Sequence, residues 1–345
     1  MHFTGTVYRN PYWPTWPLLE ITQGCTHNRC KFCTMYKEVP FRLSPMEWIE
    51  EDLQELAKCD PDARTIQLLS ANPLAPTYNK LAPIFEKIHK YLPKMEYIYL
   101  AGRVTDLKNK TVEELVKLKE LGMREISLGV ESGDDWTLDR INKGYHAEDI
   151  LEQCHKLEEA GIDYWMTFLN GVAGKSHSRE HALHSAEIFS QCKPMLVGTG
   201  GLTLFPGTPL LEEAERGEFD PLSEKEMLEE LKLFVENLTC DCSFITHQLS
   251  IARSLLTVFD GSLQRSCEGW SVPTFVIRTE GKSVPTINLS FVRSFQRSFV
   301  TAFQLSYVLS FQRSIFPTIV SSFVRLTVQR NDDFHGQPKF RSLLR

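Results

Sequence analysis

The segment VEELVKLKELGMREISLGV, residues 112–130, joins a helical pattern to a strand pattern in the middle of the chain. Apolar residues recur at helical spacing over 112–121, and Gly122 follows them, where a helix end favours a residue of left-handed conformation. Residues 125–130 then form an apolar run of strand length. The segment therefore predicts one helix that is followed by one strand.

The same alternation extends in both directions over residues 1–250. Apolar runs of strand length lie at 18–22, 65–69, 97–101, 125–130, 164–169 and 196–204. Helical spacing is found at 46–57, 81–91, 112–121, 150–160, 179–189 and 224–237. Repeated strand–helix–strand units form right-handed parallel pairs. We therefore predict an α/β fold, a partial (β/α)6 TIM-like barrel of parallel strands, with a doubly wound open sheet as the alternative.

The composition changes near residue 250. Residues 251–345 carry 12 Lys and Arg against 5 Asp and Glu, although the whole chain has a net charge of −6. Short units such as SFQRS, at 294–298 and 310–314, repeat there without a helical period. We predict a core domain over 1–250 and a low-complexity, basic Ser/Phe/Arg-rich C-terminal tail over 251–345. The tail is expected to be poorly ordered or not native to the domain before it, and nucleic-acid binding is its alternative interpretation.

No membrane or export signal is expected from the sequence. Apolar runs stay below the ~18 residues that a membrane helix needs, and the N-terminus lacks the charged and apolar regions of a signal peptide. Nine cysteines are too sparse for a disulfide scaffold, and clustered cysteines in a reducing compartment bind metal or take part in chemistry. We expect a cytoplasmic protein with no membrane partner.

Three cysteines follow the first expected strand. Cys25, Cys30 and Cys33 have the spacing C-x4-C-x2-C on a loop at the carboxyl end of that strand, where barrel active sites lie. A four-iron cluster held by three thiolates keeps one iron open for a substrate or cofactor. A zinc ion held by the three cysteines and His27 is the alternative.

This loop resembles the cluster-binding loop of the radical S-adenosylmethionine (radical SAM) superfamily. In that family three cysteines hold a [4Fe-4S] cluster, and SAM chelates the fourth iron through its amino and carboxylate groups. The commonest family spacing is C-x3-C-x2-C, so this chain has one extra residue. The resemblance implies Cys25, Cys30 and Cys33 as cluster ligands and places Phe32 beside the adenine of SAM.

Three further segments match the same family in order. Residues 129–144, GVESGDDWTLDRINKG, resemble the fourth strand and its loop in the coproporphyrinogen-oxidase-like and methylthiotransferase-like branches. The resemblance places Glu131 at the ribose or methionine end of SAM and Arg140 near its carboxylate. Residues 168–174, FLNGVAG, and 203–210, TLFPGTPL, resemble the fifth and sixth strands with their exits.

The remaining cofactor contacts come from glycines and from the exit of the second expected strand. The backbone at Gly171 and Gly174 would lie along the adenine, because glycine lets a flat base approach the main chain. Where the family has a Gly-Gly-Glu stretch for the SAM amino group, this chain reads SANPL at 70–74. Ser70 and Asn72 are the candidates for that contact.

The resemblance implies a radical SAM enzyme that binds a [4Fe-4S] cluster and reductively cleaves S-adenosyl-L-methionine. The resulting 5′-deoxyadenosyl radical would act on an unknown substrate, and an electron donor such as flavodoxin or ferredoxin is the expected partner. Nucleic acid is not an expected partner. A zinc- or cluster-stabilised binding module without SAM turnover is the alternative function.

Other metal-binding residue types are interpreted as structural. Cys59, Cys154 and Cys192 lie in or near helical stretches and are expected to be inert thiols. A second cluster at Cys240 and Cys242 is a further hypothesis, although two cysteines do not complete a four-ligand site. A polar helix face is the interpretation of His177, His181 and His184.

Overall fold

The computed structural model describes residues 1–10, 15–246, 276–278 and 286–288. The strands are β1 Leu18–Glu20, β2 Thr22–Gln23, β3 Arg42–Leu43, β4 Thr65–Leu69, β5 Tyr97–Gly102, β6 Met123–Glu131, β7 Asp163–Asn170, β8 Leu196–Gly201, β9 Ser243–Thr246, β10 Val276–Arg278 and β11 Thr286–Asn288. The helices are α1 Met46–Cys59, α2 Tyr78–Tyr91, α3 Val112–Glu120, α4 Asp135–Arg140, α5 Ala147–Ala160, α6 Ser178–Ser190, α7 Pro209–Glu215 and α8 Glu224–Asn237. Two 3-10 turns span Val104–Leu107 and Lys175–His177.

A parallel sheet of seven strands organises the molecule. Its order is β1-β4-β5-β6-β7-β8-β9, and β10 and β11 continue from β9 as antiparallel strands. Across the described strands the order does not return to β1, so the barrel is incomplete. The α/β fold is therefore confirmed and is consistent with a partial TIM-like barrel.

The expected number of six parallel strands was wrong by one. The missed strand, β9, has only four residues and follows the Cys240–Cys242 segment without a long apolar run. The expected strand 18–22 is also divided, because β1 pairs with β4 while β2 leaves the sheet to pair with β3. This departure of the chain begins the loop that carries the three cysteines.

The sequence predicts capping boxes at Ser44 with Glu47 and at Thr111 with Glu114, and only the second forms, since α1 has no side-chain cap hydrogen bond. Thr111 Oγ1 accepts the backbone N–H of Glu114 at 3.2 Å, and the Glu114 carboxylate accepts the N–H of Thr111 at 3.0 Å. Gly122 and Gly161 have positive φ angles of 96° and 66°. Helices α4 and α7 were not expected, because six and seven residues are too few to display a helical period.

The helices and the sheet share one large core, with a smaller apolar cluster beside it. Ile98 and Ile126 of the sheet belong to the large core with Leu115 and Leu157 of the helices, and all four are fully buried. The smaller cluster consists of Ile141, Val172, Leu202, Leu210 and Phe219, with Phe32 packed against it. This smaller cluster therefore brings together loops that follow the carboxyl ends of different strands.

The expected tail, residues 251–345, lies outside the described residues except for β10 and β11. The expected domain boundary at residue 250 stays a prediction. In the described portion of the chain, no helix has both the length and the apolar character needed to span a membrane.

Candidate functional site

The cysteine loop begins with a turn that only glycine fits. Gly24 has a φ of +68°, and a Cβ added there would lie 2.3 Å from the backbone oxygen of Val39. A left-handed conformation and a contact this close both disfavour any other residue. The turn brings the backbone directly from β2 to Cys25.

The three thiols of the loop are electrostatic neighbours. Cys30 is buried, Cys25 and Cys33 are half-buried, and all three are free thiols. Burial raises the pKa of the Cys33 thiol, and the nearby Cys30 and Cys25 thiols raise it further. The thiols of Cys25 and Cys30 therefore lie near that of Cys33.

In the described part of the chain, the three cysteines and His27 do not form a site for a single metal ion. Among residues the structure describes, no three His, Cys, Asp or Glu side chains converge on one metal ion. His27 instead donates from Nε2 to the carbonyl oxygen of Asn142 at 2.6 Å. In a four-iron cluster each thiolate binds a different iron, so the three sulfurs need not converge on one point.

The end of the loop is attached to two other segments. The backbone N–H of Lys31 donates to the carbonyl of Ile141 at 3.0 Å, and the N–H of Leu210 donates to the carbonyl of Lys31 at 3.1 Å. Lys31 Nζ also lies 2.8 Å from Glu213 Oε1. These contacts fix Cys30 and Cys33 relative to the loops after β6 and β8.

A buried ion pair lies beside the loop. Glu131, the last residue of β6, has a φ of +71°, a strained conformation of the kind that is concentrated at functional sites. Its Oε1 lies 3.4 Å from Nζ of Lys143, whose side chain is only 5% exposed. The same Nζ lies 5.8 Å from the centre of the Phe32 ring. Phe32 and Glu131 are therefore brought together, and Lys143 is the cation between them.

A second buried cation contacts one of the three cysteines directly. Arg103 follows β5, is 6% exposed, and places Nη1 3.7 Å from Cys30 Sγ. Its Nη2 donates to the carbonyl oxygen of Lys143. The Tyr145 ring lies 5.4 Å from the guanidinium carbon. Sequence reasoning missed Arg103 and Lys143, although the position of Arg103 directly after an expected strand was a usable signal.

Ser70 and Asn72 support the cysteine loop from the exit of β4. Ser70, with a φ of +91°, donates from Oγ to the carbonyl of Gly24 at 3.0 Å. Asn72 is fully buried; its Oδ1 accepts the N–H of Thr26 at 3.0 Å, and its Nδ2 donates to Asp106 at 2.5 Å. Burial raises the pKa of Asp106. Both expected residues thus lie next to Cys25, and Asn72 acts there as a brace.

Arg140 lies in a different environment from the one expected. At the end of α4 its Nη1 pairs with Glu213 of α7, and its Nη2 donates to the carbonyl of Glu218 at 3.4 Å. Lys31 also pairs with Glu213. Burial raises the pKa of the Glu213 carboxyl, but Lys31 and Arg140 outweigh that effect and lower the pKa. Arg140 thus belongs to a partly exposed network of charges with Lys31 and Glu213.

The two expected glycines lie in turns after β7 where neighbouring groups leave little room for a side chain. Gly171 and Gly174 have φ angles of +85° and +73°, and a Cβ on Gly174 would lie 2.9 Å from the Phe219 ring. The N–H of Gly171 donates to Glu230 Oε1 at 2.6 Å. Val172, between the glycines, packs in the same apolar cluster as Phe32. The glycine turn therefore meets the cysteine loop through this cluster.

A cavity of about 320 Å³ opens next to the cysteine loop. Thr26 and His27 of the loop line it together with Arg103, Asp106 and Asn109. Its walls are mainly polar, and it lies at the carboxyl ends of β4 and β5. This is the face on which barrel enzymes bind their ligands.

The remaining candidate metal residues are placed in structural roles. Asp134 holds His177 at 3.0 Å and His184 at 2.6 Å, whereas His181 is fully buried. Cys240 Sγ and Cys242 Sγ lie 3.6 Å apart and are buried. The described residues add no third donor to that pair, so the hypothesis of a second cluster gains no support.

Comparison with known proteins gives one family model. Residues 19–188 match the model described as the radical SAM superfamily. This segment contains the three cysteines, Arg103, Glu131, Lys143 and both glycines.

Curated relatives match shorter parts of the chain. It is 28% identical over 119 residues to a tRNA uridine(34) acetyltransferase of Methanocaldococcus infernus, covering 34% of this chain and 22% of that protein. It is 28% identical over 141 residues to a tRNA-2-methylthio-N(6)-dimethylallyladenosine synthase of Chloroherpeton thalassium, covering 39% and 30%. The Bacillus subtilis heme chaperone HemW is 23% identical over 171 residues, with 47% and 44% covered. The chain thus spans less than half the length of these relatives.

Among solved structures, the methyltransferase TsrM from Kitasatospora setae has a TM-score of 0.49 and 19% identity to this chain, covering 58% of this chain and 39% of that one.

Proposed function

We propose that the protein is a radical SAM enzyme, because residues 19–188 match the model of the radical SAM superfamily. Cys25, Cys30 and Cys33 would hold a [4Fe-4S] cluster, and the open iron would receive S-adenosyl-L-methionine. When bound, this pair supplies reductive cleavage of SAM to a 5′-deoxyadenosyl radical, which acts on a substrate yet to be identified. A one-electron donor such as flavodoxin or ferredoxin would serve the cluster.

The observation that carries the proposal is the contact of Cys30 with Arg103, which is hydrogen-bonded in turn to the backbone of Lys143. Arg103 Nη1 lies 3.7 Å from Cys30 Sγ and donates from Nη2 to the carbonyl of Lys143, whose ammonium pairs with Glu131 at 3.4 Å. SAM carries an ammonium, a carboxylate and a sulfonium close together. A site with both charge signs beside sulfur ligands can bind and orient such a molecule.

We propose Lys143, rather than Arg140, as the cation for the SAM carboxylate. Lys143 Nζ lies 3.4 Å from Glu131 Oε1 and 5.8 Å from the centre of the Phe32 ring, and an ammonium has three donors, so it can bind a second carboxylate beside Glu131. Arg140 lies instead against Glu213 and the carbonyl of Glu218. Glu131 can then accept from the ribose hydroxyls or from the SAM ammonium.

The apolar part of the site suits the adenine. Phe32 offers a ring, and Val172, between Gly171 and Gly174, belongs to the apolar cluster on which Phe32 packs. Ser70 remains the candidate for the amino group of SAM at the exit of β4. Packing of these groups around the cofactor would exclude water from a reactive radical.

Anaerobic reconstitution tests the proposal. The wild-type chain should take up about four irons, as a four-iron cluster requires, and form 5′-deoxyadenosine from SAM under dithionite. Cys25→Ala should lose the cluster and the product, because two thiolates do not retain the cluster. Cys59→Ala is the matched control, because Cys59 is an exposed free thiol on α1, and it should keep both. Stoichiometric zinc without 5′-deoxyadenosine would contradict the proposal and favour the binding-module alternative.

A further inference from the structure

Arg103 is a buried cation without a matching ion pair. Its guanidinium contacts Thr105 Oγ1 at 3.5 Å, the carbonyl of Lys143 and Cys30 Sγ at 3.7 Å. Asp106 accepts the backbone N–H of Arg103 at 2.8 Å and binds Asn72 and Thr26; its carboxylate interacts with the Arg103 guanidinium only at longer range. In the described part of the chain, no carboxylate forms an ion pair with this guanidinium. A buried charge is costly unless it is paired, so the site is prepared for an anion.

The neighbouring cation has a carboxylate of the protein as its partner. Lys143 has Glu131 at 3.4 Å, whereas the anionic group next to Arg103 would be the Cys30 sulfur once it is a thiolate. The guanidinium is also held in place, since Nη2 is engaged and the Tyr145 ring lies 5.4 Å from its central carbon. A fixed donor keeps its direction toward the sulfur without further loss of side-chain entropy.

From this arrangement we infer that Arg103 is a positioning residue for the cluster: its guanidinium donates to the Cys30 sulfur and raises the reduction potential of the bound cluster. The inference rests on the proposed function. A cluster held by thiolates becomes more negative when it accepts an electron, so a fixed positive charge favours the reduced form. Hydrogen bonds to cluster sulfurs are among the determinants of cluster potentials.

The test compares full-length, reconstituted proteins by potentiometric titration followed by electron paramagnetic resonance, with iron and sulfide analysis. Arg103→Gln should keep the iron and lower the equilibrium constant for reduction about tenfold, which is about 59 mV for a one-electron couple. Arg103→Lys keeps the positive charge but replaces the planar guanidinium and its several donors with an ammonium. The potential of its cluster should therefore lie between those of Arg103→Gln and the wild type. Arg124→Gln removes an exposed arginine of β6 and should match the wild type.

The outcomes separate this inference from the proposed function. A wild-type chain that binds no iron overturns both. A loaded wild type whose potential is unchanged in Arg103→Gln overturns the inference alone. If Arg103→Gln folds, judged by circular dichroism, but loses iron, retention of iron by Arg103→Lys supports the charge role. Loss of iron from both folded variants overturns it.

Discussion

At the scale of single residues, Lys143 and Arg140 are three positions apart but differ in surroundings. The side chain of Lys143 is 5% exposed beside Glu131, whereas that of Arg140 is 21% exposed and paired with Glu213. Asn142, with a φ of +54°, lies between them and turns the chain after α4. The turn therefore directs the two cations into different environments.

Replacement of these two residues should affect SAM binding unequally. Lys143→Gln should raise the SAM dissociation constant about tenfold to a hundredfold, because a hydrogen bond to a charged group is worth about 1.5–3 kcal/mol. Arg140→Gln should change it less than about threefold, the size expected for a partly exposed ion pair. Calorimetric titration of the reconstituted variants measures both values. A larger loss in Arg140→Gln would restore the sequence-based assignment.

The turn at Gly24 makes a second prediction. Gly24→Ala should lower the free energy of unfolding by about 3 kcal/mol, because strain at positive φ adds to the clash with the Val39 oxygen. Gly217→Ala is the matched control: its φ is +74°, but no atom lies within 4 Å of the added Cβ. It should cost only about 1 kcal/mol. Urea unfolding of both variants gives the comparison, and equal losses would contradict the steric argument.

The cysteine loop can be read directly from the sequence, whereas the electrostatics around it depend on the fold. The spacing of Cys25, Cys30 and Cys33 is a local feature, so it could be recognised directly. Which of two nearby cations is buried depends on a turn of one residue, Asn142, and such a turn has no periodic signal. The contact between Arg103 and Cys30 joins residues 73 positions apart and follows only from the strand order.

At the scale of elements, α6 and α8 meet at two buried titratable groups. His181 of α6 and Glu230 of α8 have Nε2 and Oε1 4.0 Å apart, and the side chains of both are fully buried. Burial lowers the pKa of His181 to about 4 and raises that of Glu230 to about 7. Both groups are therefore neutral in the folded protein near pH 6.

Their contributions to stability should oppose each other. Between about pH 4 and 6.5 the unfolded chain binds a proton at His181 that the folded protein does not, so this group makes stability fall as pH falls. Between about pH 4.5 and 7 the folded protein keeps a proton on Glu230 that the unfolded chain loses, so this group makes stability fall as pH rises. The two slopes should largely cancel from pH 4.5 to 6.5.

Glu230→Gln should remove one of these slopes. The variant's free energy of unfolding should fall from pH 6.5 to 4.5 more steeply than that of the wild type, by up to about 1.4 kcal/mol per pH unit. Denaturant unfolding at several pH values measures the difference. The same slope in wild type and variant would mean that Glu230 is not protonated in the fold.

The elements themselves were predictable wherever they are long and regular. The capping box at Thr111 and Glu114 and the glycines after α3 and α5 needed only local sequence. Helix α4 and strand β9 were missed because six and four residues display too little periodicity. Their formation depends on contacts with the rest of the fold.

At the scale of the whole molecule, the parallel sheet explains why residues far apart in sequence meet. The carboxyl ends of β1, β4, β5, β6 and β7 bring the cysteine loop together with Ser70, Arg103, Glu131 and Gly171. The order of strands could be anticipated from the repeated strand–helix units. The size of the gap in the barrel could not be anticipated from the sequence, because it depends on where the last strands pair.

The position of β1 at the end of the sheet has a consequence for local opening. Among the described strands, β1 is three residues long and pairs with β4 alone, whereas β5, β6 and β7 each have a strand on both sides. Amide hydrogens of the cysteine-bearing segment should consequently exchange with solvent through partial unfolding, while those of the central strands exchange only when the entire domain opens. A chelator could then extract iron from protein that is otherwise native.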